Sequence, residues 1–260
     1  MDYSRIKYSV ADRIGRITLS RPDKHNALDD VMVTELTHAF VQANRDAGVK
    51  VVILSAEGES FCAGADLEYI QRIAKYDFNR NLEDSGSLMK LFLQIHTCRK
   101  PVISLVSGAA LAGGCGLASV CDFVLAARET SRFGYPEVRI GFIPAIVMVF
   151  LVRRIGEGRA RELVLGGHTL TAEEAHAIGL VGKVVPAMDL ERAGNDLAHE
   201  LVVKNSGSSM GLIKELLARV HGMATNEALE YASNLNALTR MTDDCKRGIE
   251  AFLRKETVTW

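Results

Sequence analysis

No stretch of about twenty apolar residues occurs in this chain of 260 residues, so no membrane-spanning helix is expected. The opening MDYSRIKYSVADRIGRI mixes acidic and basic residues and lacks an apolar h-region, which disfavours secretion and makes the cytoplasm the expected location. Charge of one sign is missing too. Lys and Arg number 31 against 32 Asp and Glu, a formal charge of −1, so no overall field gathers nucleic acid or an anionic membrane, and neither is an expected partner. The five cysteines (Cys62, Cys98, Cys115, Cys121, Cys245) are odd in number and include no compact CxxC pair, so reduced thiols are expected instead of disulfides or zinc. The seven histidines show no metal spacing, and no metal site is expected.

With 48% hydrophobic residues the chain can bury a substantial core, as one large domain or a domain with an appendage. Residues 14–19 (IGRITL) alternate and are rich in β-branched side chains, RPDKHN (21–26) breaks the pattern, and 31–44 carry apolar residues at helical spacing. Strand and helix then recur, with strands at 49–55, 101–106 and 123–126 and helices at 88–97 and 114–121. Such alternation predicts an α/β architecture. Beyond residue 158 the strand signal thins. Helices are expected at 158–165, 171–178 with Thr171 as N-cap, 189–203, 209–221, 226–239 and 243–255.

Two glycine-rich segments stand out, FCAGADL (61–67) and SGAALAGGCGL (107–117), the second directly after the apolar run VISLV (102–106). Small residues let a substrate carbonyl approach backbone N–H groups, which are fixed before negative charge develops; the pair looks like two halves of an oxyanion hole. Either loop alone reads as a tight turn. A strand followed by Gly114-Cys115-Gly116 also invites a dinucleotide-binding reading. There, however, the third glycine position is Ser119, and the next strand ends near Ala126, too soon to carry an acid about 20 residues beyond the glycines. A nicotinamide cofactor is not expected.

FCAGADL, then GAALAGGCGLA after a strand, then CDFVLA, then FGYPEVRIGFIP resemble the crotonase (enoyl-CoA hydratase/isomerase) superfamily in residue type, order and spacing. The resemblance runs from NALDDVMVTEL (26–36) to AFLRK (251–255). It implies an α/β fold with a crotonase-type ββα spiral catalytic core over 1–197 and a helical region over 198–260 for trimerisation and CoA contact. It also implies an enzyme acting on acyl-CoA substrates as a homotrimer or dimer of trimers, with CoA part of the substrate and no separate cofactor.

The resemblance assigns the two oxyanion N–H donors to Ala65 and Gly113, and the main acid/base carboxylate to Glu137 in GYPEV (134–138). Gly113 would open a helix, where unpaired N–H groups and the dipole favour a negative oxygen. A carboxylate in an apolar pocket holds or releases its proton near neutral pH, which suits chemistry next to a thioester. The CoA thioester contacts implied are Lys24, Ala63, Gly64, Gly114, Phe252 and Lys255, the last two toward a neighbouring subunit.

Two-glutamate hydratases of this superfamily carry a second catalytic Glu three residues after the oxyanion glycine, and that position is Gly116 here. A single-base hydratase, a Δ3,Δ2-enoyl-CoA isomerase and weak hydration of simple enoyl substrates all stay open, as does a non-catalytic acyl-CoA-binding member. GADLEYIQRIAKY (64–76), Gly116 and PEVRIGFIPAIVMVFLVRRIG (136–156) look most like bacterial 3-methylglutaconyl-CoA hydratases of leucine breakdown. A distal carboxylate on the acyl group would want a cation, and Arg72, Lys75 and Arg80 follow the first loop. Each of the three alone reads as a solvated helix charge. Asp66 reads as the N-cap of the next helix, and Asp122 as a partner for backbone donors.

Overall fold

A computed structural model describes residues 2–260. Strands β1 (Ile6–Ala11) and β2 (Ile14–Leu19) form an antiparallel hairpin through Asp12 and Arg13, both at positive φ, as a two-residue turn demands. A 3-10 turn at Pro22–Lys24 leads into α1 (Asp30–Arg45), where the Asp29 side chain accepts the Met32 N–H as N-cap.

The chain then repeats one unit: a long strand, a short strand in a second sheet, and a helical return. The first turn is β3 (Val51–Ala56), β4 (Ser60–Cys62), α2 (Leu67–Ile73) and α3 (Phe78–His96). The second is β5 (Val102–Val106), β6 (Ala109–Leu111) and α4 (Gly113–Ser119). The third is β7 (Phe123–Ala127), β8 (Arg132–Gly134), a 3-10 turn at Pro136–Ile140, α5 (Ala145–Ile155) and α6 (Glu157–Gly166). Then come β9 (Thr169–Thr171), α7 (Ala172–Ala177), β10 (Lys183–Val185) and α8 (Leu190–Lys204). The main sheet runs β1-β2-β3-β5-β7-β10 and the second β4-β6-β8-β9. Pairings between successive repeats are parallel in both sheets, so the fold is the expected ββα spiral.

Strands β3 and β5 read as continuous apolar runs because both faces are covered. Val52, Leu54, Val102 and Val106 enter one core with α1, α3, α4 and α5, while Val51, Ile53, Ile103 and Leu105 enter another beneath α8. Each such side chain contributes about 1.5–3 kcal/mol by leaving water. The expected division at 197/198 falls inside α8, which packs on β2, β3, β5 and β7. The remaining helices are α9 (Gly207–Val220), α10 (Thr225–Met241) and α11 (Asp243–Arg254). Lys214 of α9 reaches back to the Lys100 carbonyl and to Asp122, whose carboxylate also accepts the Val102 N–H.

Helix α3 starts ten residues before its expected start at 88. Its first half is too polar to show an apolar stripe, and its start is set by Asp77, which accepts the Arg80 N–H at 2.9 Å. Thr171 caps α7 as expected, in a reciprocal capping box with Glu174. Among the described residues no helix is long and apolar enough to cross a membrane.

Candidate active site

After β4 the chain is pinned to the segment before α1 on both sides of one residue. Ala63 N–H donates to the His25 carbonyl (3.0 Å), Leu28 N–H to the Gly64 carbonyl (2.7 Å) and Asp66 N–H to the Leu28 carbonyl (2.9 Å). This bracket skips the Ala65 N–H, which has no acceptor among the described residues. Asn26 braces the segment from within: it is fully buried, its amide donates to the Glu57 and Ser60 carbonyls, and its oxygen accepts the Arg21 N–H, all at 2.8 Å. Asp66 caps α2, as expected, by accepting the Tyr69 N–H (3.0 Å), and it pairs with Arg21 (2.8 Å). Arg21 also reaches Asp29 (3.2 Å), so one partly buried guanidinium ties the starts of α1 and α2 together.

On the other side, the Ala112 N–H donates to the Gly134 carbonyl (2.8 Å), and Ala112 stands at φ 51°, ψ −126°. A residue with a Cβ rarely adopts that conformation, at a cost of about 1–3 kcal/mol. The bend opens α4 at Gly113, whose N–H has no partner within the helix and no acceptor among the described residues. Glycine is needed where the two loops touch. A Cβ on Gly64 (φ 97°) would lie 2.8 Å from that of Ala112, and one on Gly114 would overlap the Cys62 carbonyl. Two free N–H donors, Ala65 and Gly113, are therefore carried on loops packed backbone against backbone. Burial pushes the Cys62 and Cys115 thiols of these loops up to about 12, so neither supplies a thiolate nucleophile at neutral pH.

Glu137 sits in the 3-10 turn after β8, with Pro136 opening the turn and Gly141 closing it at φ 73°. Its predecessor Tyr135 is fully buried against α4, its hydroxyl 3.3 Å from Ser119 Oγ. Since Tyr135 contacts Ser119 of α4, the turn that carries Glu137 packs on α4. Its carboxyl is buried, its Oε2 has no hydrogen-bond partner, and burial raises its pKa above the ordinary value, partly offset by a backbone hydrogen bond. An orphaned carboxylate oxygen costs about 1–3 kcal/mol and is the kind of group a substrate or water would satisfy.

Gly116 offers no room for a second carboxylate. A Cβ there would overlap the Val147 side chain of α5 and approach Phe92 Cε1 of α3 to 3.1 Å. Gly116→Ala is expected to cost about 1–3 kcal/mol by overpacking, less up to about 1 kcal/mol of helix propensity. Urea unfolding of Gly116→Ala, Val147→Ala and the double variant tests this. The double variant should be less destabilised than the sum of the two; strict additivity would refute the contact.

The structure brings Lys24 beside the first loop, where its ammonium meets Glu68 of α2 at 2.7 Å. It does not bring Phe252 or Lys255 there within one chain: α11 packs mainly on α9 and α10, Phe252 is 81% exposed, and Lys255 forms the left-handed C-cap. Of the cation candidates, Arg72 pairs with Asp30 (2.8 Å) and Arg80 lies over the Tyr76 ring (3.8 Å), while Lys75 has no ion pair among the described residues. Arg21 and Asn26, which brace the first loop, lie in a stretch whose sequence signal is only that of a strand breaker. Two cavities, about 260 Å³ under α8 and about 660 Å³ between α3, α5 and α9, are not lined by Glu137 or the glycine loops.

The family described as enoyl-CoA hydratase/isomerase matches residues 9–260. A Thermus thermophilus enoyl-CoA hydratase homologue is 41% identical over 92% of this chain and 94% of its own length. The 2,3-dehydroadipyl-CoA hydratase of Escherichia coli is 33% identical over 98% of this chain and 97% of its own. Among solved structures, an enoyl-CoA hydratase from Bacillus anthracis superimposes with a TM-score of 0.90 at 30% identity, covering 99% of both chains.

Proposed function

The chain belongs to the enoyl-CoA hydratase/isomerase (crotonase) family of enzymes, and we propose that it adds water across the 2,3-double bond of an enoyl-CoA thioester. The observation that carries this reading is the orphaned, buried Glu137 carboxyl, on the turn that packs on α4 through Tyr135, together with the unengaged Ala65 and Gly113 N–H groups. The two N–H groups hold the thioester oxygen as it becomes an enolate. Glu137 takes a proton from the water whose oxygen bonds C3, and returns that proton to C2 as the enolate collapses. One carboxylate thus serves both halves of the addition, which Gly116 requires. Holding both reactants in place supplies much of the remaining acceleration.

The acyl group we assign is one with a distal carboxylate, 3-methylglutaconyl-CoA foremost, supported by the motif resemblance and by the dicarboxylic substrate in the name of the Escherichia coli relative. Lys75, which has neither an ion pair nor an aromatic partner among the described residues, is its candidate partner. Lys24, Ala63, Gly64 and Gly114 line the thioester side, and Phe252 and Lys255 serve a neighbouring subunit of a trimer. Exposed apolar residues on the last two helices, Met241, Phe252 and Leu253 at 70–81% exposure, support such assembly.

Incubation with 3-methylglutaconyl-CoA and with crotonyl-CoA, products identified by mass, tests the reading. Faster hydration of the former is expected. Preference for crotonyl-CoA would remove the distal carboxylate. If neither gains water while a 3-enoyl-CoA is converted to its 2-enoyl isomer, the enzyme is the isomerase.

A further inference from the structure

The larger of the two cavities lies apart from the proposed chemistry and carries charge that the fold leaves uncompensated. It opens between α3, α5 and α9 with a volume of about 660 Å³, in the range of small-molecule sites. Arg99, Arg153 and Arg219 line it, and Glu215 is the one carboxylate beside them. None of the three guanidinium groups makes an ion pair or donates a hydrogen bond among the described residues; Arg219 only lies over the Tyr231 ring, at 5.4 Å. Glu215 is engaged elsewhere, accepting the Tyr231 hydroxyl at 2.7 Å. Three cations against one anion leave the lining at a net +2.

Packing, not counter-charge, holds the Arg99 side chain in place. Arg99 follows α3, its N–H taken by the Asn44 side-chain oxygen at 2.9 Å. Its side chain runs along α9 at Gly211, where an added Cβ would lie 3.3 Å from the Arg99 Nε and 3.1 Å from the Arg99 carbonyl oxygen. A glycine inside a helix costs about 1 kcal/mol against alanine, and here it makes room for this arginine. One wall of the cavity is aromatic: the Phe150 ring of α5 meets His96 edge-on at 5.2 Å and stacks on Phe92 at 5.9 Å. His96 Nε2 is buried at that wall without a hydrogen-bond partner, at a cost of about 1–3 kcal/mol. Burial, then the Arg153 and Lys214 charges, lower the His96 pKa, so the ring is neutral at pH 7 and Nε2 gives or takes a hydrogen bond according to its tautomer.

Unpaired guanidinium forks, a flat apolar wall and one buried ring nitrogen call for phosphate oxygens, a planar ring and a polar atom on that ring. We propose that this cavity is a second binding site of the protein, for a nucleoside phosphate. The base lies on Phe150 and meets His96 Nε2 through a ring nitrogen or an amino group, while the phosphates take the Arg99, Arg153 and Arg219 forks. An aliphatic dicarboxylate would leave the aromatic wall and the His96 nitrogen unused. The same chemistry is offered by a free nucleotide and by the nucleotide end of coenzyme A. The inference stands whichever reaction the active site performs.

The test is calorimetric titration of ADP, CoA, adenosine and inorganic pyrophosphate into the parental protein, Arg153→Ala, Arg219→Ala, His96→Leu and Arg240→Ala, with thermal scans alongside. Arg240, an exposed residue of α10 outside the cavity, is the control. ADP should bind the parent with a Kd of about 1 mM or below and, at tenfold excess over Kd, raise Tm by about 3–6 °C. Adenosine and pyrophosphate, each half of the ligand, should bind at least about tenfold more weakly. Arg153→Ala and Arg219→Ala should each weaken ADP about tenfold or more, and Arg240→Ala less than about twofold. His96→Leu should weaken ADP while leaving the ligand-free Tm at or above the parental value, because it removes the unpartnered nitrogen. A second equivalent of CoA per chain that is lost in Arg153→Ala assigns the site to the coenzyme; ADP binding with a single CoA equivalent in both proteins assigns it to a free nucleotide. No ADP binding up to about 10 mM, or an ADP affinity that Arg153→Ala and His96→Leu leave unchanged, overturns the proposal.

Discussion

Glu137→Gln is expected to lower hydration about 10²–10⁴-fold and, at neutral pH, to leave the protein more heat-stable than its parent. The rate falls because the amide can neither take a proton from water nor return one to C2. Stability rises because a neutral amide is cheaper to hold in that site than a buried carboxylate whose Oε2 has no partner. The gain is about 1 kcal/mol, or about 2–4 °C in Tm for a chain of this size. The sign follows from the raised pKa: between the ordinary value of 4.5 and the raised folded value, the native chain binds more protons than the unfolded one. Parental stability therefore declines as pH rises through that window, so the advantage of the variant appears above it and closes below 4.5. Parental hydration, which needs the carboxylate form, should fall as pH drops through the folded value. Thermal scans at acid and neutral pH, with initial rates across the same range, check both limbs. A variant as active as its parent would remove Glu137 from the chemistry.

Gly114→Ala should disable the site from the other side. Its new methyl would overlap the carbonyl of Cys62, which as main chain of β4 cannot swing aside. The two loops must part, and the Gly113 N–H moves with the start of α4. Loss of one oxyanion donor costs about 10²–10³ in kcat, and overpacking adds about 1–3 kcal/mol of destabilisation. Gly158→Ala is the control: no atom lies within 4 Å of its added Cβ, and helix propensity favours alanine, so stability should hold or rise and turnover stay parental. Steady-state kinetics with urea unfolding of both variants separates the two effects. Parental kcat in Gly114→Ala would mean that the loop contact does not position the donor.

The α/β class was legible because β3, β5 and β7 are apolar runs, whereas the ββα spiral came only through the family resemblance that the glycine loops carry. The second sheet was not. Strands β4, β6 and β8 have three residues each and border glycines, so in sequence they merge with the loops they support. Helix α5 was hidden for the opposite reason: AIVMVFLVRRI is apolar nearly throughout, so the stripe it buries at Val147, Leu151 and Ile155 stands out little from the rest.

By itself, then, the sequence determined the residue chemistry. It set the family motifs, the small residues where two loops approach, a glutamate after Tyr135-Pro136, and Gly116 where a second acid would stand. Only the tertiary structure decided which of these groups are unengaged. The Ala65 N–H is free because the bracket to Leu28 passes over it, and the Glu137 oxygen is orphaned because the fold buries it without a donor. Gly116 is closed because Val147 and Phe92, 31 and 24 residues away along the chain, converge on its Cα. Arg99, Arg153 and Arg219 share a cavity only once α3, α5 and α9 fold around it. Burial and hydrogen-bond satisfaction are properties of neighbours in space, and a local pattern along the chain carries no record of neighbours brought in from distant segments.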